Sequence, residues 1–417
     1  MSKSSIASID WLTVFLFTLL VLFGWLNIYS ASYGDEHASW TDFSKVYIKQ
    51  GYWIALSLIL IIITQAIEAK FYERFASLIY VLSIASLIGL FLFGKTISGA
   101  TSWYDLGFMS IQPSEFAKTA TALALAKFLS DMQTNIGHIN HQLKAFLIIA
   151  LPAFIIIPQP DPGSALIYTA FLFPLYREGL AAAYLIIGAS AALLFVLTLL
   201  FGPIWVIISL AIGMFVYLIK QRKKKPKYSR YFLILLVVTG FCFSVNYIFN
   251  NVFEQRHRDR FNIVLGREVD AKGIGYNTNQ SQIAIGSGGW TGKGWKEGTQ
   301  TKGGFVPEQH TDYIFSTVGE EWGFLGATTV ILLFTLLLVR LLILAERQKS
   351  TFSRIYGYSV VGILFVHFAV NVGMVTGLLP TVGIPLPFFS YGGSGLWGFT
   401  VLLFIFIKLD SNRVNEW

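Results

Sequence analysis

Long uninterrupted apolar runs are the feature that most limits what this sequence can fold into. Trp11 to Ile28, Ile54 to Ile63 and Thr328 to Leu344 approach or reach the roughly 20 residues that a helix needs to cross a hydrocarbon core of about 30 Å. Hydrophobic residues make up 54% of the 417 positions and charged residues 13%, which cannot supply a water-exposed globular surface. We therefore expect the lipid bilayer to be the main solvent of this chain.

The spanning segments are predicted to be α-helices, because backbone polar groups in lipid must be satisfied within the segment. The twofold alternation typical of a membrane barrel is absent. The predicted fold class is an all-α polytopic membrane protein, a helical bundle that forms a single integral-membrane domain over residues 1–417. The twelve predicted spans are residues 11–31, 47–66, 75–94, 115–130, 144–158, 163–176, 180–201, 203–220, 231–249, 313–344, 356–378 and 391–408.

The positions of Lys and Arg predict the orientation, since short cytoplasmic loops carry an excess of both. The strongest marker is QRKKKPKYSR at 221–230, and basic residues at 70–74, 347–354 and 408–413 lie on the same side by parity. Both termini are therefore predicted to be cytoplasmic. A membrane-lipid headgroup patch at 221–230 is an alternative reading that keeps the same orientation.

Charge and cysteine content exclude several other classes. The net charge of +8 comes from basic residues in short loops rather than on one face, so we expect no nucleic-acid partner. The single cysteine, Cys242, lies in an apolar run and cannot build a disulfide framework or a cysteine metal cluster within one chain. No small-residue cleavage site follows the first apolar stretch, so a retained first span is predicted rather than a signal peptide.

The same parity places residues 32–46, 95–114, 250–312 and 379–390 on the outer face, where chemistry is expected. The 250–312 segment is the longest and holds eleven of the 37 glycines. A disordered linker is one alternative for a loop of this length. A structured extracytoplasmic catalytic loop is favoured by eight apolar anchors: Phe261, Ile263, Val264, Ile283, Ile285, Trp290, Trp295 and Phe305.

Four blocks of the sequence carry a family resemblance. GYNTNQSQIAIGSGGWTGKGWKEGTQTKGGFVPEQHTDYIFSTVGEEWGFLGA (275–327) resembles the large extracytoplasmic loop of the SEDS family (shape, elongation, division and sporulation). GATSWYDLGFMSIQPSEFAK (99–118), QPDPGSAL (159–166) and TGLLPTVGIPLPFFSYGGSG (376–395) resemble the same family in the expected order. The resemblance spans most of the chain.

Two details of the resemblance refine it. PEQHTD (307–312) and GKGWKEGTQ (292–300) are more similar to the elongation members of the family than to the division members. Family members usually have about ten spans, whereas two additional spans are predicted here near 203–220 and 231–249. Because two is an even number of added spans, the 250–312 segment stays on the outer side. The insertion nevertheless leaves the alignment of residues 177–255 with the family uncertain.

The resemblance implies a peptidoglycan glycosyltransferase that polymerises lipid II into glycan strands during cell elongation. The strand would pass from its undecaprenyl-pyrophosphate carrier to the 4-hydroxyl of lipid II with inversion. This chemistry needs a base, cationic groups or a divalent cation (Mg²⁺ or Mn²⁺) at the leaving pyrophosphate, and a groove open to lipid. The implied partner is a class B penicillin-binding protein transpeptidase, and no organic cofactor is implied.

Two aspartates are candidates for the base and for a metal site. The resemblance places the essential loop aspartate at Asp270, predicted as the general base; the alternative is a turn aspartate before Gly273. Asp161 lies between Pro160 and Pro162, which would end the fifth span near the outer interface. It is either a helix cap or a cavity residue that binds a sugar or, with Asp270, a cation.

Glu115, Lys118 and Trp103 are candidates for substrate binding. Glu115 and Lys118 lie three residues apart on one helical face, and charged groups at this depth should face the bundle interior or a cavity. Glu115 either complements the helix amino terminus or takes part in function. Lys118 is predicted to pair with a pyrophosphate or a carboxylate. Trp103 is either an interfacial anchor or, as the resemblance implies, a residue that stacks on a sugar.

Three arginines, Arg256, Arg258 and Arg260, precede the core of the long loop at alternating positions. Guanidinium groups suit bidentate contacts to phosphate, which makes them candidates for the pyrophosphate. Anionic lipid headgroups are the alternative ligand.

The resemblance places His310, Thr311, Asp312 and Ser390 near the cavity as substrate-binding residues. One His with one Asp is a weak metal signal, and Thr311 or Asp312 could instead cap the following helix. Ser390 opens SYGGSG, where glycines permit close approach to a ligand or a neighbouring helix.

Two further pairs of polar residues lie within predicted spans. His367 and Asn371, four residues apart, are predicted to form interhelical hydrogen bonds rather than a proton relay. One of Glu320 and Glu321 is predicted to face inward.

Two other functions stay open: a lipid II flippase or transporter, and a non-catalytic scaffold of the wall-synthesis complex. A transporter is expected to show matched discontinuous helices around a midplane site, often built from inverted repeats. The sequence shows no convincing repeat, and its polar residues concentrate at the predicted outer face. This pattern favours chemistry at the membrane surface.

Overall fold

The computed structural model describes residues 8–32, 42–97, 99–107, 109–224, 227–253, 255–266 and 275–413. Two compact units are present, one formed by residues 1–180 with 277–417 and the other by residues 181–276. The prediction of a single domain over 1–417 stays a prediction.

The first unit begins with three long helices and a small sheet. Its elements are α1 (Trp11–Ser32), α2 (Val46–Ala66), α3 (Ala69–Phe93), β1 (Lys95–Ile97), β2 (Ala100–Asp105), β3 (Ser110–Ile111), α4 (Pro113–Ser130), α5 (Ile139–Ile156), α6 (Pro162–Leu166), a 3₁₀ helix (Ile167–Phe171) and α7 (Leu172–Arg177). The three strands form an antiparallel sheet in the order β1-β2-β3.

The remaining elements follow in chain order. The second unit holds α8 (Ala182–Phe201), α9 (Pro203–Lys220), a 3₁₀ turn (Arg222–Lys224), α10 (Tyr228–Asn251) and α11 (Gln255–Val264). The chain then forms α12 (Tyr276–Ser287), α13 (Thr299–Lys302), α14 (Ile314–Glu346), α15 (Thr351–Val375) and α16 (Gly393–Asn412).

Ten of the helices in the described ranges are long and apolar enough to cross a membrane. They are α1, α2, α3, α5, α8, α9, α10, α14, α15 and α16, each of which matches a predicted span. The predicted span at 115–130 is α4, an 18-residue helix with three charged side chains. The predicted span at 163–176 is divided among α6, the 3₁₀ helix and α7. The prediction of a polytopic helical membrane protein is confirmed.

Helix α4 lies at the centre of the first unit and is buried along nearly its whole length. Alanines at 117, 120, 122 and 124 keep its surface small, which lets neighbouring helices approach closely. At Gly398 of α16, an added Cβ would lie 3.0 Å from the Cβ of Glu115. The small residues therefore enclose the charged first turns of α4 between other helices.

Ion pairs join helix ends and the residues beside them at one end of the first unit. Arg347 contacts Asp410 at 2.5 Å, and Arg354 contacts Glu178 at 3.0 Å. Arg340 also pairs with Asp10, just before α1. These residues come from segments that the charge pattern predicts to lie on one side, so the parity of the spans is consistent with the packing.

The described part of the 250–312 segment is folded rather than a disordered linker. It contains α11, α12 and α13. In the second unit, Phe261 of α11 contacts Phe195 of α8 and Phe249 of α10, with ring centroids 5.4 and 6.1 Å apart. Apolar anchors of this kind hold α11 against the helices of its own unit.

Helix α14 is broken at Gly323, where φ is +62° and ψ is −157°. The amides of residues 324–325, which the break frees, donate to the carbonyls of residues 289–290 at 2.9 and 3.1 Å. The amides of residues 293–294 donate in return to the carbonyls of residues 320–321 at 3.0 Å. The long loop thus completes the hydrogen bonding of a membrane helix, and glycine permits the φ that the break requires.

Candidate active site

Asp161 caps the amino terminus of helix α6. This helix lies at the same end of the first unit as the three-stranded sheet. Its Oδ1 accepts from the amide of Ser164 at 3.0 Å, and its Oδ2 accepts from Nε2 of Gln112 at 3.0 Å. Gly163 lies against the backbone of Val382, where an added Cβ would be 2.4 Å from the carbonyl oxygen. The close approach at Gly163 brings the 159–166 and 376–395 blocks together, while a role for Asp161 in binding sugar or cation stays a prediction.

Lys118 and Glu115 form a buried ion pair on one face of α4. The side chain of Lys118 is 1% exposed and that of Glu115 is 4% exposed. The ammonium lies 2.9 Å from each carboxylate oxygen and 2.9 Å from Nε2 of His367 on α15. It also lies 4.9 Å from the ring centroid of Phe399 on α16. Of the two partners predicted for Lys118, the structure shows the carboxylate.

Backbone contacts bring His310, Thr311 and Ser390 together. The hydroxyl of Ser390 donates to the carbonyl of Thr311 at 2.7 Å and accepts from the amide of Leu386 at 2.8 Å. The amide of Tyr391 donates to the carbonyl of His310 at 2.8 Å, and the two rings are 5.6 Å apart. Burial lowers the pKa of the His310 imidazole below its ordinary value. The close approach predicted for SYGGSG is a contact with residues 310–311.

Asp312 is fixed through its backbone. Nδ2 of Asn371 donates to the carbonyls of Asp312 and Ile384 at 2.8 and 2.7 Å. Neither Thr311 nor Asp312 caps α14, because that helix follows Tyr313, which makes no side-chain cap. The cap alternative is therefore wrong, since the chain makes turns through residues 307–313 before the helix starts.

Trp103 lies half-buried in β2, paired with Lys95 of β1. The neighbouring amide of Thr101 donates to the carbonyl of Gln159 at 3.2 Å. The sheet therefore holds the strand of Trp103 beside the turn that leads to Asp161.

The arginine candidates belong to the second unit. Nη1 of Arg258 donates to the carbonyl of Asn250 at 2.9 Å, near the end of α10. The side chain of Arg256 and all of Asp270 lie outside the described residues. The roles predicted for Arg256, Arg258 and Asp270 stay predictions.

Glu320 and Glu321 are both buried, with exposed fractions of 0% and 2%, so the prediction that one of them faces inward is too narrow. Glu321 accepts from the hydroxyl of Ser30 on α1. Glu320 accepts from the amides of Gln300 and Thr301, both at 2.8 Å, and from Lys293 at 2.9 Å. Adjacent residues of an α-helix point about 100° apart, so Glu321 faces α1 while Glu320 faces the loop that holds Lys293 and Thr301.

Sequence reasoning missed the partners of the charged groups. His367 forms an interhelical bond, as predicted, but the prediction did not name Lys118 as its partner. Asn371 contacts loop carbonyls instead of a helix. Lys293 and Glu320 both lie in the 275–327 block, yet nothing in their spacing of 27 residues pairs them.

Within the described ranges, no three His, Cys, Asp or Glu residues converge as a metal site. Asp161 supplies the hard oxygen atoms that Mg²⁺ and Mn²⁺ favour, and a carboxylate that accepts two hydrogen bonds keeps lone pairs for a cation. Its partner in the predicted site, Asp270, lies outside the description, so the cation stays a prediction.

Comparison with known protein families shows which family this chain belongs to. The family model for cell cycle proteins of the FtsW, RodA and SpoVE type matches residues 10–224 and 226–415. The chain belongs to this family. The predicted SEDS resemblance is thereby confirmed, because these are the proteins that the SEDS name covers.

Curated members of the family are similar along nearly the whole chain. Peptidoglycan glycosyltransferase MrdB of Escherichia coli strain K12 is 35% identical over 381 residues, covering 91% of this chain and 89% of that protein. Peptidoglycan glycosyltransferase RodA of Treponema pallidum is 31% identical over 436 residues, covering 98% and 99%. These names agree with the elongation-type motifs at 292–300 and 307–312.

A solved structure shares the fold. It is described as "Structural coordination of polymerization and crosslinking by a peptidoglycan synthase complex", and its matching chain has a TM-score of 0.68 at 28% identity. The match covers 98% of this chain and 99% of that chain.

Proposed function

We propose that this chain is a peptidoglycan glycosyltransferase that polymerises lipid II into glycan strands during cell elongation. Relatives at 35% and 31% identity carry that enzymatic name, and they match nearly the full length of the chain. The family match over residues 10–224 and 226–415 includes all four blocks with the family resemblance.

The observation that carries the proposal is the buried Lys118–Glu115 pair in the first two turns of α4. Each ion removed from water costs several kcal/mol even in a relaxed protein, so a simple structural role is a poor explanation for the pair. Ionisable groups inside membrane bundles generally mark functional sites. Asp161, Ser390 and residues 310–312 lie at the same end of the first unit, where hydrogen bonds join their segments.

The proposed reaction joins two lipid-linked sugars. Asp270 accepts the proton from the 4-hydroxyl of lipid II, and that oxygen bonds to the anomeric carbon of the growing strand. The bond from this carbon to the pyrophosphate breaks, and undecaprenyl pyrophosphate leaves. A positioned base typically contributes about 10² to 10⁴ in rate. Mg²⁺ or Mn²⁺, for which Asp161 is a candidate ligand, would supply positive charge that offsets that of the leaving pyrophosphate.

The orientation and partners belong to the same proposal. We place both termini in the cytoplasm and the active site on the outer face of a bacterial inner membrane, following the basic residues at 221–230. The partner is a class B penicillin-binding protein transpeptidase that crosslinks the new strands. The similar solved chain comes from a complex described as coordinating polymerization with crosslinking.

The test is strand synthesis by the purified, full-length protein in lipid vesicles that contain lipid II and Mg²⁺ or Mn²⁺. Strands are separated on gels, with and without the transpeptidase. We expect Asp270→Asn to abolish synthesis. Asp259→Asn is the matched control, because Asp259 is a half-buried aspartate of the same segment that accepts a hydrogen bond from Gln255 of its own helix.

Each result separates the competing functions. Strand synthesis that persists in Asp270→Asn would remove the assigned base. Transfer of lipid II across the vesicle membrane without strands would support the flippase. Activity that arises only from the transpeptidase partner would support the scaffold.

A further inference from the structure

His367 of α15 is a buried histidine that the proposed reaction does not use. Its side chain is 1% exposed, and its ring meets Phe399 edge-on with centroids 4.7 Å apart. Nε2 lies 2.9 Å from the ammonium of Lys118. The histidine therefore contacts the buried ion pair directly.

The number of N–H donors on Lys118 shows which neighbouring atoms must be acceptors. A lysine ammonium has three N–H donors and no acceptor. Two donors go to the oxygens of Glu115, so the third goes to His367. Nε2 must then carry a lone pair, which places the single ring proton on Nδ1. A charged imidazolium is excluded in this arrangement, because it would put two positive groups 2.9 Å apart.

The three bonds are unequal. The two bonds to Glu115 join opposite charges, which makes them the stronger ones. The bond to His367 has a neutral acceptor and is the weakest of the three. An anionic oxygen that competes for Lys118 would therefore replace His367 as the acceptor of the third N–H.

The surroundings of His367 connect it to the outer loops. One helical turn along α15, Asn371 binds the carbonyls of Asp312 and Ile384. One face of α15 thus fixes both the Lys118 ammonium and the backbone next to the candidate site residues.

We propose that His367 is a positioning residue. It accepts a hydrogen bond from the third N–H of Lys118 until an anionic phosphate oxygen of the leaving group replaces it as the acceptor. The inference rests on the proposed function, because it assigns Lys118 to the leaving pyrophosphate. His367 itself does not touch the substrate. Its contribution is to keep the ammonium in place until negative charge develops.

The kinetic test compares two substitutions of the full-length protein in the strand-synthesis assay. His367→Leu removes the acceptor that positions the third N–H, and we expect kcat to fall roughly tenfold or more while KM for lipid II changes little, since the bond from Lys118 to the phosphate forms in the transition state. His367→Gln supplies a carbonyl acceptor and should retain activity within about threefold of wild type, an estimate that assumes an equivalent hydrogen bond. Equal losses in both variants would overturn the proposal.

A matched control separates positioning from general stability. Tyr356 lies on the same helix and donates a buried hydrogen bond to the carbonyl of Leu402 at 3.0 Å. Tyr356→Phe removes one interhelical bond without touching Lys118, so kcat should stay at the wild-type value. A kcat that falls in Tyr356→Phe as far as in His367→Leu would mean that lost packing explains both.

A double-mutant cycle tests whether His367 acts through Lys118. In a Lys118→Arg background, we expect His367→Leu to cost much less in kcat than in wild type. Losses that multiply would overturn the proposal. The same cycle can be measured as melting temperatures, which do not depend on enzymatic activity. Shifts in melting temperature that are not additive support the contact between His367 and Lys118, and additive shifts contradict it. A wild-type protein that makes no strands would overturn the proposed function and, with it, this role.

Discussion

Glu320→Ala should release residues 288–303 from α14, because one buried carboxylate holds several donors of this loop. Glu320 is fully buried. It accepts from the amides of Gln300 and Thr301 at 2.8 Å, from the hydroxyl of Thr301 at 2.8 Å and from Lys293 at 2.9 Å. Alanine offers none of these donors an acceptor.

The magnitude follows from those donors. Each buried donor left without an acceptor costs about 1–3 kcal/mol. Lys293 is 28% exposed, so water replaces part of its partner and this bond adds at most about 1 kcal/mol. Three such donors, the amides of Gln300 and Thr301 and the Thr301 hydroxyl, give about 3–9 kcal/mol, and because a released loop lets water reach them we expect a value near the lower end, about 3–5 kcal/mol.

The assay is thermal unfolding of the purified protein in detergent, with limited proteolysis of the 288–303 loop as a local probe. Glu320→Ala should lower the melting temperature and speed cleavage, and Glu320→Gln should have a smaller effect because it keeps one acceptor oxygen. Glu297→Gln is the control, since Glu297 is an exposed residue of the same loop. An unchanged melting temperature and cleavage rate in Glu320→Ala would refute the assigned hydrogen bonds.

Two further predictions concern charge. Lys118→Met should abolish strand synthesis and destabilise the protein by about 3–5 kcal/mol, because it leaves Glu115 buried and unpaired. The double variant Lys118→Met with Glu115→Gln should partly recover the melting temperature. A melting temperature that does not recover would contradict this explanation. Because burial lowers the pKa of His310 below 6.5, the unfolded chain binds its proton first, so stability should fall as the pH drops through about 6.5. His310→Gln should flatten that decline in melting temperatures measured from pH 8 to 5, and an identical decline in both proteins would contradict it.

The apolar runs predicted the spanning helices because the constraint is local: each segment must satisfy its own backbone in lipid. The predicted span at 163–176 is divided among α6, a 3₁₀ helix and α7 for a related reason. Proline has no amide to donate within a helix, so Pro174 of α7 cannot bond to the carbonyl of Ala170 and an unbroken α-helix does not form there. The break in α14 was harder to predict, because its freed amides are satisfied by residues 289–290, far away in sequence.

The sequence by itself determined that the chain lies in a membrane, which ten segments form apolar helices long enough to span it and which family it belongs to, since hydropathy and motifs are properties of neighbouring residues. Tertiary structure decided which polar groups meet. Lys118 and His367 are separated by 249 positions, and only the packing of α4 against α15 brings them to 2.9 Å. A hydrogen bond depends on distance and direction to within a few tenths of an ångström, and no spacing along the chain sets these across helices.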